Sequence, residues 1–69
     1  MVDTQLLDDR IDSSGKRKTY LAKKLGISVQ AFRMKRLNLS KFDTDQVNIL
    51  CDELSITKLS DKEKIFFKK

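Results

Sequence analysis

Apolar positions recur along this chain at helical spacing. Leu6, Leu7 and Ile11 make a first stripe, and Leu21, Ala22 and Leu25 a second. Val47, Leu50, Cys51 and Leu54 fall at i, i+3, i+4 and i+7, which places four side chains on one helix face. The pattern predicts about five helices. The first runs from about Thr4 to Ser13, capped by Asp3 or Thr4 and stopped by Ser13, Ser14 and Gly15. Asp8, Asp9 and Asp12 then lie on the wet side, opposite the stripe. The second helix spans about 18–25 and the third about 28–37. A loop from Asn38 to Asp43 follows, in which Phe42 plugs the core. Asp43 or Thr44 caps a fourth helix over about 44–54, and Ile56 and Leu59 pack beyond it. Ser60 and Glu63 form a capping box for a last short turn. Ile65, Phe66 and Phe67 close the apolar sequence, ahead of Lys68 and Lys69 as a solvated tail.

The junction between the second and third helices carries the most information. Ala22 sits where two helices cross, and its small side chain permits close approach. Gly26 follows four residues later, at a C′ position that wants positive φ, which glycine adopts without a Cβ penalty. Ile27 turns an apolar side chain inward, and Ser28 is a strong N-cap. Leu21, Leu25 and Phe32 hold the pair at an angle. Residues 18–37 therefore read as a helix-turn-helix, whose second helix is shaped to enter a DNA major groove. The plainer alternative is a helical hairpin in a small bundle.

Composition adds limits. Pro is absent and Gly occurs only at 15 and 26, so an all-α fold is expected. At 69 residues the chain is read as one domain over 1–69, with a core barely large enough to fold alone. No run is long and apolar enough to span a bilayer, and no leader pattern is expected. The single Cys51 cannot form an internal disulfide, which fits a reducing cytoplasm.

The net charge of +5 is unevenly spread. Residues 1–15 carry −3, and residues 42–69 carry −1. Between them, Lys16, Arg17, Lys18, Lys23, Lys24, Arg33, Lys35, Arg36 and Lys41 meet no acid. A charge run is usually a solvated face. One that coincides with a helix-turn-helix is better read as a phosphate-facing surface.

The LAKKLGIS core at 21–28, Gln30 and Phe32, then Phe42 and the closing EKIFF at 63–67, carry a family likeness. The chain resembles the small phage Cro/CI-type repressors of temperate phages of Gram-positive bacteria. Among these it is most similar to the modulator-of-repression (MOR) proteins of lactococcal phages. The resemblance covers about residues 4–67, nearly the whole chain. It implies a compact five-helix lambda-repressor-like domain with the helix-turn-helix in helices 2 and 3. It also implies a place in a lysis–lysogeny switch, in the cytoplasm of a bacterial host, where a Cro-like protein opposes lysogeny and works jointly with the phage CI repressor. Two positions depart from the general pattern. Arg17 stands where a capping Thr or Ser is expected, so Thr19 or the loop must cap the second helix, or it starts less firmly. Lys35 stands where an aliphatic core residue usually follows Phe32, and its methylenes can cover apolar surface while the ammonium reaches water.

As a reading surface, the third helix offers Ser28, Val29, Gln30, Arg33, Met34 and Leu37. Gln30 can contact adenine and Arg33 guanine, each through two hydrogen bonds. The alternative for Gln30 is a plain exposed helix residue. Lys16, Arg17, Lys18, Lys35, Arg36 and Lys41 are the candidates for phosphate contacts, which position without specifying. Val29, Met34, Leu37 and Leu39 are more apolar than a DNA-reading helix needs. Left exposed they make a protein-docking patch, although Leu37 can equally turn into the core. The carboxylates of Asp8, Asp9 and Asp12 offer a second surface, able to imitate phosphates for a repressor's basic helix; the alternative is a solvated face helping the macrodipole. Tyr20 can contact DNA or support the first turn of its helix.

Catalysis has no foundation here. There is no His, Cys51 lies on an inner stripe, and no glycine-rich phosphate loop or metal-ligand cluster occurs. Neither cofactor nor metal nor small-molecule substrate is expected. Two functions remain. One is an anti-repressor that acts through a complex with the N-terminal DNA-binding domain of the CI repressor. The other is a Cro-like protein that binds operator DNA by itself.

Overall fold

The computed structural model describes residues 1–68. Lys69, the end of the expected tail, lies outside the described residues. Five helices follow one another: α1 (Thr4–Ser14), α2 (Lys18–Leu25), α3 (Val29–Arg36), α4 (Thr44–Glu53) and α5 (Leu59–Phe66). No strand occurs among the described residues, so the fold is all-α.

Local chemistry sets the helix ends. Asp3 caps α1 by accepting the Leu6 N–H at 3.1 Å. Gly26 ends α2 with φ of 72°, and the Ile27 N–H reaches back to the Ala22 carbonyl at 3.1 Å. Ser28 then caps α3 through the Ala31 N–H at 3.0 Å. Asn38 does for the end of α3 what Gly26 does for α2: it takes φ of 64°, and the Leu39 N–H donates to the Met34 carbonyl. Asparagine is one of the few side chains that tolerate this region. Asp43 and Gln46 form a reciprocal capping box on α4 that the sequence reading had not identified. Among the described residues no side chain caps α2 at Arg17, so Thr19 does not supply the cap.

The core gathers Leu7, Ile11, Leu21, Ala22, Leu25, Phe32, Leu50, Cys51 and Leu54, with Ile56, Ile65 and Phe66 closing one side. Phe42 is half-buried and meets Phe32 and Phe66 edge-on. Ile27 and Val47 are partly buried against the same core. Val2 is also buried, which periodicity does not reveal because it lies outside any helix. Asn38 holds it there, accepting the Val2 N–H at 2.8 Å and donating to the Val2 carbonyl at 2.9 Å.

Four expectations are corrected. Leu6 is exposed, since α1 turns only the Leu7–Ile11 line inward. Leu59 is exposed because the inner face of α5 is carried by Ile65 and Phe66, with Asp61 and Lys62 one turn earlier. Leu59 precedes Asp61 by two residues, roughly 200° around the helix. Ser60 lies inside α5, which starts on Lys58 without a side-chain cap, so the expected Ser60–Glu63 box is not formed. Arg36 is buried rather than presented to phosphate. It lies one turn beyond Phe32, and its guanidinium covers that ring at 4.7 Å. Its Nε is 3.5 Å from Asp8 Oδ1. Burial pushes the guanidinium below its usual pKa, and Asp8 opposes that shift. Asp8 therefore faces α3 instead of open water.

This pair is a stability device. Asp8→Asn would leave a buried guanidinium without a countercharge. A fully buried broken pair costs about 3–5 kcal/mol. The Asp8 side chain keeps 36 % of its exposure, so a smaller loss of about 1–3 kcal/mol is expected. Chemical denaturation checks it, and an unchanged midpoint would show that the contact contributes nothing.

Candidate functional site

Ser28 ends the turn after α2, and its cap fixes where α3 begins. From there, Phe32 and Arg36 define the buried line of α3. The opposite line must face water. Val29, Gln30, Arg33, Met34 and Leu37 all do, as does Ser28 itself. The six sequence-selected residues are therefore all exposed. Leu37 turns outward at 42 % exposure, and Val29 and Met34 keep 47 % and 38 %. Leu39, drawn back by its hydrogen bond to Met34, adds a fourth apolar side chain.

The basic candidates divide in two. Arg17, Lys18 and Lys41 are exposed and make no ion pair among the described residues. Lys16, Lys35 and Arg36 are engaged internally. The Lys35 ammonium donates to the Lys41 carbonyl at 2.6 Å, which ties it to the loop after α3. The Lys16 ammonium donates to the Glu53 carbonyl at 2.7 Å and pairs with the Glu53 carboxylate at 3.2 Å. Lys16 thus closes the end of α4, a role that a run of basic residues cannot announce. Half of the expected phosphate-facing set has intramolecular work.

The acidic set is also reduced. With Asp8 turned to Arg36, only Asp9 and Asp12 stand exposed on α1, and Asp9 accepts from Gln5 at 3.2 Å. The expectation of three free carboxylates is corrected accordingly.

Tyr20 stands exposed in the first turn of α2. Its ring lies 5.9 Å from the Lys16 ammonium and 5.7 Å from that of Lys24. The neighbouring Glu53 carboxylate raises the tyrosine pKa above its ordinary value. The same contact, followed by Lys16, holds the Glu53 carboxyl below the usual carboxylate range. Sequence reasoning missed Glu53. The available signal was the i, i+4 spacing of Tyr20 and Lys24 on α2, with Lys16 just before the helix.

Among the described residues no group of His, Cys, Asp or Glu is arranged to hold a metal. Cys51 is buried, and desolvation pushes its thiol pKa up. An open groove of about 530 Å³ lies between Val2, Phe42, Val47, Phe66 and Phe67, and its lining among the described residues carries no carboxylate or thiol. The exposed line of α3 is the strongest candidate surface. Compared with known proteins, the chain matches no family model, no curated protein and no solved structure.

Proposed function

We propose that this protein is a phage transcriptional regulator of a lysis–lysogeny switch. It acts as an anti-repressor or modulator by forming a complex with the phage CI repressor in the host cytoplasm. In this reading α2 and α3 are the helix-turn-helix, and α3 is the docking helix. The observation that carries the proposal is the exposed apolar group Val29, Met34, Leu37 and Leu39. Exposed Arg33 lies on the same helix, and such a mix of apolar side chains with an arginine is the composition of a protein-binding patch more than of a base-reading helix. Methionine suits such a patch because it repacks easily against a partner.

The internal engagement of Lys16, Lys35 and Arg36 points the same way. A single small module buries only about 600–1,000 Å² on DNA and depends on phosphate contacts for affinity. Removing half of its candidate contacts weakens an autonomous role. One observation favours the second reading: Gln30 and Arg33 are both exposed on the same face as Ser28, where base edges would lie. That reading is a Cro-like repressor binding operator DNA without a partner.

A mixing experiment separates them. This protein, the CI repressor of the same prophage and its operator are combined and sized with light scattering. The expected result is a one-to-one complex with the repressor's N-terminal domain, competing with operator for that domain. Operator binding by this protein alone, with no repressor association at micromolar concentration, would leave the autonomous reading standing and end the first.

A further inference from the structure

The contacts around Glu53 amount to a ligand site with an internal occupant. Tyr20 and Lys24 lie one turn apart on α2, and Lys16, in the segment before the helix, reaches the same ring. Both ammonium groups lean over the Tyr20 ring, at 5.9 Å and 5.7 Å from its centroid. The Glu53 carboxylate, at the end of α4, comes to the same place and lies 3.2 Å from the Lys16 ammonium. Its side chain keeps only 22 % of its exposure, although it is a charged residue at a helix end. Among the described residues it is the one acid paired with the basic stretch of residues 16–24.

We infer that Lys16, Tyr20 and Lys24 form a binding site for a phosphate group, which the Glu53 carboxylate fills in the free protein. The geometry suits that ligand. A phosphate oxygen carries the same charge type as a carboxylate oxygen and accepts the same charge-assisted hydrogen bonds. A carboxylate presents two oxygens to this group, whereas a phosphate presents up to four, enough to accept from two lysines and a phenol. Lys16 has a proton to spare for the exchange: one N–H goes to the Glu53 carbonyl and one to the carboxylate. The carbonyl contact holds Lys16 in place after the carboxylate leaves. The depressed Glu53 pKa and raised Tyr20 pKa agree with an anion held by these three groups.

The site lies where α2 meets the end of α4, apart from the exposed line of α3. It therefore stands whether or not α3 docks on a repressor. Its consequence is a built-in brake: while Glu53 occupies it, the basic stretch of α2 has fewer cations to offer a nucleic-acid backbone. The phosphate can be free, or it can belong to a DNA strand.

Glu53→Gln keeps the size of the side chain and removes the competing charge. With inorganic phosphate as the probe, nuclear magnetic resonance should show saturable shifts at Tyr20, Lys16 and Lys24. Saturation is expected at severalfold lower phosphate in Glu53→Gln than in the wild type. Adding Tyr20→Phe or Lys24→Gln to that variant should remove the gain. A second arm uses non-cognate duplex DNA. If the ligand is a backbone phosphate, Glu53→Gln steepens the slope of log K against log salt by about 0.9, one added contact. A phosphate response without a change in that slope assigns the site to a free phosphate. Equal phosphate response in Glu53→Gln and wild type, or a gain that survives both added substitutions, overturns the site. Neither result depends on repressor binding, so failure here is distinct from failure of the complex.

Discussion

Phe32→Ala should remove about 3–5 kcal/mol of folding free energy, the range for deleting a buried aromatic. Phe32 has no solvent exposure and is among the largest fully buried side chains in the core. Phe42 meets its ring edge-on at 6.2 Å, and the Arg36 guanidinium covers it at 4.7 Å. Truncation thus opens a cavity and also strips the cover from a buried cation. A typical domain has about 5–15 kcal/mol in total, and a 69-residue chain sits toward the bottom of that range. The expected outcome is a variant largely unfolded at room temperature, read by far-ultraviolet circular dichroism. A folded variant with wild-type melting would mean that α3 packs in a different register.

The hydrophobic period made the helices readable because each apolar stripe is a local property. Gly26 and Ser28 were readable for the same reason: a positive φ and an N-cap depend on neighbours two to four residues away. Asp43–Gln46 is equally local, and its signal, an Asp three residues before a Gln, stands in the sequence. What could not be read is long-range. Arg36 looks like one more cation in a basic run until α1 brings Asp8 against it, 28 positions earlier in the chain. Lys16 looks like a phosphate contact until the end of α4 arrives beside it. Val2 is buried only because Asn38, 36 positions away, binds its backbone. The same division runs through the candidate surface. Its exposed line followed from helix geometry, while the loss of half of the basic set followed from contacts between elements distant in sequence.

Met34→Asp should abolish the complex with the repressor while leaving the fold intact. Met34 lies between Val29 and Leu37 on the exposed line of α3, and Leu39 is tied back to it through a backbone hydrogen bond. A residue at the centre of an interface commonly carries 2 kcal/mol or more, roughly thirtyfold in Kd. A carboxylate at that place adds desolvation without a partner, so the loss should be at least this large. The folded state has less to lose. Met34 is already 38 % exposed and belongs to no buried cluster. Its replacement should cost well under the loss for Phe32, on the order of 1 kcal/mol or less. Salt gives an independent reading. An apolar contact should hold its affinity when ionic strength rises from about 0.05 to about 0.5 M, whereas a charge-led contact weakens as the Debye length shrinks. The contrasting variant is Asp9→Asn with Asp12→Asn. Asp8 is best left alone in this test, because its loss would disturb Arg36 and confuse stability with binding. Wild-type affinity in the double Asn variant and none in Met34→Asp is the expected pair of results. The reverse pair, with marked salt sensitivity, would move the docking surface from α3 to α1.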